Sequence, residues 1–100
     1  MKRHFVIGAH GLTAPQEDAF RKLLSSKGIW WHWINNFWLF TTNDTSMKVD
    51  NIVDSIEKIN PNAHCLIIEF PRDHTWAGRG PLNENNPDEN MFLWLKDYWP

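Results

Sequence analysis

Hydrophobic and polar positions divide the chain into stretches typical of strands and stretches typical of amphipathic helices. The densest apolar stretch covers residues 29–42, IWWHWINNFWLFTT, in which Asn35 and Asn36 interrupt aromatic and β-branched side chains. Such side chains suit a pleated sheet, and asparagine tolerates the positive φ of a tight turn. The stretch therefore predicts a β-hairpin.

Side-chain alternation makes both faces of this hairpin largely apolar, because successive residues of a strand point to opposite sides of the sheet. A sheet that is apolar on both sides needs cover above and below. In the first strand the alternation places Ile29, Trp31 and Trp33 opposite Trp30, His32 and Ile34, and in the second strand it places Phe37 and Leu39 opposite Trp38 and Phe40.

Two helices are predicted, one before and one after the hairpin. Thr13 and Gln16 have the spacing of a capping box, Pro15 falls in the first turn, and Gly28 marks the end. The second helix covers residues 47–60 and ends before a proline. Apolar residues recur at helical spacing in both, as Phe20, Leu23 and Leu24 in the first and as Val49, Ile52, Val53, Ile56 and Ile59 in the second.

Two further apolar runs, residues 5–9 and residues 63–70, complete the pattern and predict strands. The order strand, helix, strand, strand, helix, strand predicts an α+β, ferredoxin-like βαββαβ fold with a four-stranded antiparallel sheet and two helices on one face. We expect residues 1–100 to form a single domain, with a core over 4–70 and an additional C-terminal loop and short helix over 71–100.

The second face of this sheet needs cover that the two helices do not provide. Residues 71–90 are rich in proline, glycine and asparagine and predict a long loop, after which Pro87 and Asp88 are expected to begin a short helix. One possible cover is this C-terminal segment; the other is a second copy of the chain. We favour a homodimer through the open sheet face, because two-fold pairing buries identical apolar patches. The aromatic residues available in the segment are Trp76, Phe92, Trp94 and Trp99.

Composition narrows the function classes. The net charge of −2 and the pI near 6.2 provide no global basic field for nucleic-acid binding. Cys65 is the only cysteine, so an intramolecular disulfide and a thiolate zinc cluster are excluded, and a buried, inert thiol is expected. No signal peptide or membrane span is predicted, and we expect a cytoplasmic protein with no membrane partner.

The run GIWWHWINNFWLFTT, with a capped helix before it and a second helix and the strand HCLIIEF after it, resembles the small SinR-like proteins. These are similar in turn to the CRISPR-associated adaptation subunit with a ferredoxin-like fold and to VapD-type toxins. The similarity covers residues 5–70, and its most specific part is Gly-x-Trp-Trp-His. The resemblance implies a dimer that pairs across the sheet, and a phage, mobile-element or defence context.

The resemblance does not extend to a metal-dependent nuclease site. In the nuclease relatives, an aspartate at the end of the first strand is understood to hold a divalent metal at the dimer seam. Here that strand reads FVIGAH, and no acidic residue precedes Glu17. His10 takes the corresponding position, where an imidazole would serve as an acid or base; the alternative is a solvated loop histidine.

No metal or cofactor is predicted from the histidines. His32 and His64 are expected on opposite edge strands, roughly 14 Å apart, and His4 and His10 stand at the two ends of one strand. The third strand also has no Lys or Arg, so the basic-aromatic pattern of RNA-recognition domains is missing. We therefore interpret the aromatic residues as core or interface.

The segment PRDHTWAGRG brings arginine, histidine and indole groups together in a predicted loop, where they suit phosphate or partner binding. A solvated loop is the alternative. The leading hypothesis is a non-enzymatic homodimeric protein that binds a macromolecular partner, with a protein favoured. The alternatives are a nucleic-acid-binding protein or divergent endoribonuclease, and a toxin or antitoxin component. The candidate partner-binding residues are Arg72, His74, Trp76, Arg79, Trp94 and Trp99.

Overall fold

The computed structural model describes residues 3–70, 76–82 and 85–99. Strands and helices follow one another in the predicted order through the first of these ranges, and the last range contains two short helical turns. The elements are β1 (Arg3–His10), α1 (Ala14–Lys27), β2 (Ile29–Ile34), β3 (Phe37–Thr42), α2 (Val49–Ile59), β4 (His64–Phe70), the 3₁₀ helix Pro87–Glu89 and α3 (Leu93–Tyr98).

The four strands form one antiparallel sheet in the order β2-β3-β1-β4. This order, with α1 and α2 as crossovers, is compatible with a ferredoxin-like fold, and the predicted α+β class is confirmed. The predicted hairpin turn is also confirmed, because Asn36 has a φ of 62° between β2 and β3. The strand order makes β2 and β4 the two edges of the sheet.

Local sequence signals fix where α1 begins and ends. The Thr13 amide donates to Gln16 Oε1 at 2.9 Å, and the Gln16 amide donates to Thr13 Oγ1 at 3.4 Å, so the predicted capping box is present. Gly28 follows the helix, and a Cβ added there would lie 2.2 Å from the Thr41 backbone oxygen. This close approach lets β2 begin directly after α1.

The helices cover one face of the sheet with a fully enclosed core. Trp38 lies at its centre, stacked on His32 with ring centroids 4.0 Å apart and edge-on to Phe20 at 5.4 Å. The predicted helical stripes contribute to this core. Its buried members include Phe5, Ile7, Phe20, Leu24, Trp38, Phe40, Ile52, Ile56 and Ile67.

Residues 76–82 and 85–99 pack over the second face, on β2, β3 and β1. The Trp31 indole N–H donates to the Met91 backbone oxygen at 2.6 Å and ties this segment to the sheet. The C-terminal segment therefore covers part of the face for which we had favoured a second copy of the chain. We call these residues the C-terminal cover; the cluster beneath it contains Trp31, Leu39, Met91, Leu95 and Trp99.

Two details of the sequence-based interpretation are wrong. Ile34 was expected on the face of His32, but it lines the same cavity as Trp31, because a register shift between Trp31 and Ile34 changes the alternation. The short helix expected from Pro87 is divided into two turns. Asn90 separates them, since its side-chain oxygen accepts a hydrogen bond from the Phe92 amide at 3.1 Å, which stabilises a turn instead of a continuous helix.

Candidate interaction surface

Strand β4 has an exposed apolar row on the second face of the sheet, and the last residue of the row also contacts Trp99 of the C-terminal cover. Leu66, Ile68 and Phe70 are 67%, 45% and 36% exposed, and we call them the β4 strip. The strand register places Leu66 beside Gly8 and Ile68 beside Val6. Because Gly8 has no side chain, Leu66 lacks a neighbour on that side. The strip was not among the predicted site residues, although the two-sided apolar pattern of residues 63–70 was its signal.

The edge position of β4 makes this strip more significant. In the described part of the chain, β4 pairs with β1 on one side and has no strand on the other. Edge strands with exposed apolar side chains are typical sites of association, and proteins often protect them with charges. The one charged residue within β4 is Glu69, which alternation places on the opposite face from the strip.

Glu69 is held by an arginine of the neighbouring strand. Arg3 Nε and Nη2 each contact one Glu69 carboxylate oxygen at 2.9 Å, and the same guanidinium donates to the Met47 backbone oxygen. The hydrogen bond from Arg3 lowers the pKa of Glu69, whereas the pKa of Arg3 is raised. This pair joins β4 to β1 and to the segment before α2.

The three predicted tryptophans of the C-terminal segment lie together in the cover. Trp76 is stacked on Phe92 with ring planes 3° apart, and its indole N–H donates to the Trp99 backbone oxygen. Trp99 is only 4% exposed and contacts the rings of Trp94 and Phe70. Trp94 remains half-buried. The indoles of Trp76 and Trp99 therefore pack within the cover.

The predicted cationic residues of the loop have a different outcome. Arg79 is exposed and lines a cavity between the cover and the sheet. Arg72 and His74, which were also predicted to bind a partner, lie outside the described residues. Arg79 is thus the predicted loop cation whose surroundings the structure defines.

His10 has a neighbour that the sequence analysis did not pair with it. The register of β1 and β4 places His10 directly opposite His64, and both are exposed. They border a shallow depression that also contains Asn36. His32 lies at the other edge of the sheet, where its Nε2 is 3.5 Å from Glu17 Oε2. In the predicted strand order, β1 is the neighbour of β4, whereas β2 lies at the opposite edge. This order could have suggested that His64 pairs with His10 of β1 and not with His32 of β2.

The chemistry of the remaining titratable groups is limited. Among residues 3–70, 76–82 and 85–99, no three or more His, Cys, Asp or Glu side chains come together as metal ligands. Burial raises the pKa of the Cys65 thiol, and the charge of Glu57 adds to this effect. The thiol is therefore protonated at neutral pH and a poor nucleophile.

Fold and surface together define a small ferredoxin-like α+β protein with one covered and one partly open sheet face. None of its described helices has both the length and the apolar character that a membrane span requires. No protein-family model, curated protein or solved structure matches the chain significantly. The relationship to SinR-like proteins thus stays a prediction from the sequence.

Proposed function

We propose that this protein is a non-enzymatic interaction protein that forms a homodimer through the open part of its sheet and binds a macromolecular partner. The observation that carries the proposal is the exposure of the β4 strip on an edge strand. A two-fold axis passing near Ile68 would bring Leu66 of each copy against Phe70 of the other. Such a patch is self-complementary, as a symmetric interface requires.

The strip favours a dimer of low affinity. Complete burial of one large aliphatic or aromatic side chain contributes about 1.5–3 kcal/mol, and the three strip residues are already partly buried. Six such side chains across the interface would offset an association cost near the lower end of about 4–15 kcal/mol. The strip alone therefore supports a weak dimer, with a dissociation constant on the order of a millimolar.

The partner surface is proposed on the outer side of the C-terminal cover. A depression there contains the half-buried Trp94 and the exposed Trp33 and is rimmed by Asp88 and Asp97. Tryptophan is a frequent anchor residue in protein interfaces. Carboxylates repel a phosphate backbone but attract basic side chains, so a basic protein segment fits this surface better than nucleic acid. The resemblance to SinR-like proteins suggests a phage or defence context.

Sedimentation equilibrium tests the dimer. Leu66→Glu places a charge in the proposed interface at a position exposed in the single chain, so it should give a folded monomer while the wild type is a dimer. Leu82→Glu is the matched control, because Leu82 is 58% exposed and belongs to the C-terminal cover, not to β4. A wild type that stays monomeric at about 2 mM, or a dimeric Leu66→Glu variant, would contradict the proposed interface.

The alternative function is a nucleic-acid-binding protein or an endoribonuclease that lacks acidic metal ligands. The observation that favours it is the cross-strand pair of His10 and His64. Two adjacent imidazoles would divide the roles of acid and base in phosphodiester cleavage. This alternative predicts RNA or DNA binding that weakens steeply with salt, and cleavage that is lost in His10→Ala. Anisotropy titrations at low salt should instead detect no binding if the leading proposal holds.

A further inference from the structure

A cavity of about 330 Å³ lies between the sheet and the C-terminal cover. Its floor contains Val6, Trp31 and Leu39, and its roof contains Phe92 and Leu95. The volume lies within the range of about 300–1,000 Å³ that is typical of small-molecule sites. The two layers that cover the second face therefore leave space between them for a ligand.

The walls of this cavity present largely apolar surface, and the indole N–H groups of two lining tryptophans already have partners. Trp31 Nε1 donates to the Met91 backbone oxygen, and Trp76 Nε1 donates to the Trp99 backbone oxygen. The first hydrogen bond joins the cover to the sheet, and the second joins two parts of the cover to each other. A ligand within the cavity would accordingly be recognised by aromatic and aliphatic contacts.

One charged residue lines the cavity in the described part of the chain, and it is Arg79. The segment that carries it passes closely over the cover: a Cβ at Gly78 would lie 2.8 Å from Phe92 Cε1, and a Cβ at Gly80 would lie 2.2 Å from Met91 Sδ. The glycines on either side thus allow the backbone of Arg79 to lie at the cavity. No carboxylate of the described residues forms a salt bridge with its guanidinium.

We propose that this cavity binds a small apolar carboxylate whose anionic group pairs with Arg79. An arginine fork matches a carboxylate through two parallel hydrogen bonds. The volume lies at the lower end of the range of small-molecule sites, so we take a medium-chain acid such as decanoate as the ligand to test. The floor and roof of this site come from one chain, although Phe70 both lines the cavity and belongs to the β4 strip.

Isothermal titration with decanoate and, separately, with decylammonium tests the charge and the shape of the site. The wild type should bind decanoate at least about tenfold more tightly than decylammonium, and Arg79→Gln should remove that preference. Arg21→Gln is the matched control, since Arg21 is a surface arginine of α1 that pairs with Asp18 and does not line the cavity. Val6→Phe should weaken both ligands by filling the floor.

The proposal is overturned if the folded wild type binds no decanoate, or if it binds both ligands equally. Unchanged decanoate binding by Arg79→Gln would also overturn it. Arg79 is exposed, so its substitution leaves the fold intact, and this result stands even if Val6→Phe fails to fold. Leu66→Glu should retain decanoate binding as a monomer, which separates the failure of this site from the failure of the dimer.

Discussion

Two buried tryptophans on opposite faces of the sheet differ in one respect that mutation can measure. Trp31 and Trp38 are 4% and 0% exposed. The Trp31 indole N–H donates to the Met91 backbone oxygen at 2.6 Å, whereas the Trp38 indole N–H has no hydrogen-bond partner among the described residues. Replacing each with phenylalanine removes the same ring atoms, so the comparison isolates the indole N–H.

The expected difference follows from the hydrogen-bond inventory. Loss of ring volume should destabilise both variants by about 2 kcal/mol. Trp31→Phe also loses a hydrogen bond and leaves the Met91 oxygen without that donor, which adds about 1 kcal/mol. Trp38→Phe removes a buried donor that has no partner among the described residues, which offsets the loss in the free energy of unfolding by about 1 kcal/mol or more. We therefore expect Trp31→Phe to be less stable than Trp38→Phe by about 2 kcal/mol.

Urea unfolding followed by far-ultraviolet circular dichroism is the appropriate assay, because tryptophan fluorescence itself changes in these variants. With the m value of about 1–3 kcal/mol/M that is typical of small proteins, 2 kcal/mol corresponds to a difference in urea midpoint of roughly 0.7–2 M. The two variants should have the same denaturant dependence, so that their midpoints can be compared directly. Equal stabilities, or a less stable Trp38→Phe, would refute the assignment of the two indole environments.

Two further substitutions test the electrostatics and the close packing of the core. The pKa of Glu69 lies below its ordinary value of 4.5, so its carboxylate stabilises the fold above that value and loses this effect as the pH falls through the lowered pKa. Glu69→Gln should lower the free energy of unfolding by up to about 1 kcal/mol at pH 7, and the stabilities of variant and wild type should converge in acid. If the difference between their urea midpoints is as large at pH 3 as at pH 7, this would argue against the Arg3 contact. Gly28→Ala should lower the free energy of unfolding by about 2 kcal/mol or more, because its Cβ would lie 2.2 Å from the Thr41 oxygen. Gly8→Ala is the matched control and should change stability little, because its Cβ would lie 3.8 Å from the nearest atom. Equal shifts in the Tm of the two variants would contradict this packing.

The sequence predicts the β-sheet core well because each local signal agrees with the fold. Aromatic alternation in residues 29–42 predicts a sheet that is apolar on both sides, and the structure has a hydrophobic cluster on each. Thr13 and Gln16 predict the start of α1 through a capping box that is present. These signals are short-range, so a single sequence contains them.

Features that depend on distant contacts or on backbone irregularity were predicted poorly. The face of Ile34 depends on a register shift in β2, and the division of the C-terminal helix depends on the side chain of Asn90. Which part of the second face the C-terminal cover occupies, and that it leaves the β4 strip exposed, depends on tertiary packing. Periodicity shows that a face is apolar, but it does not show which residues lie over it.

The two clusters on either side of one sheet also imply an order of opening. In the described part of the chain, the helix-side cluster contains eleven buried residues packed by α1 and α2, whereas the cluster under the C-terminal cover contains five, and the cover holds the short helix α3. Units with fewer buried apolar contacts open first in the native state. Amide hydrogens of α3 should therefore exchange through partial opening, whereas those of β1 wait for global unfolding. Each such opening exposes an aromatic sheet face, so resistance to aggregation depends on how firmly the C-terminal cover is held.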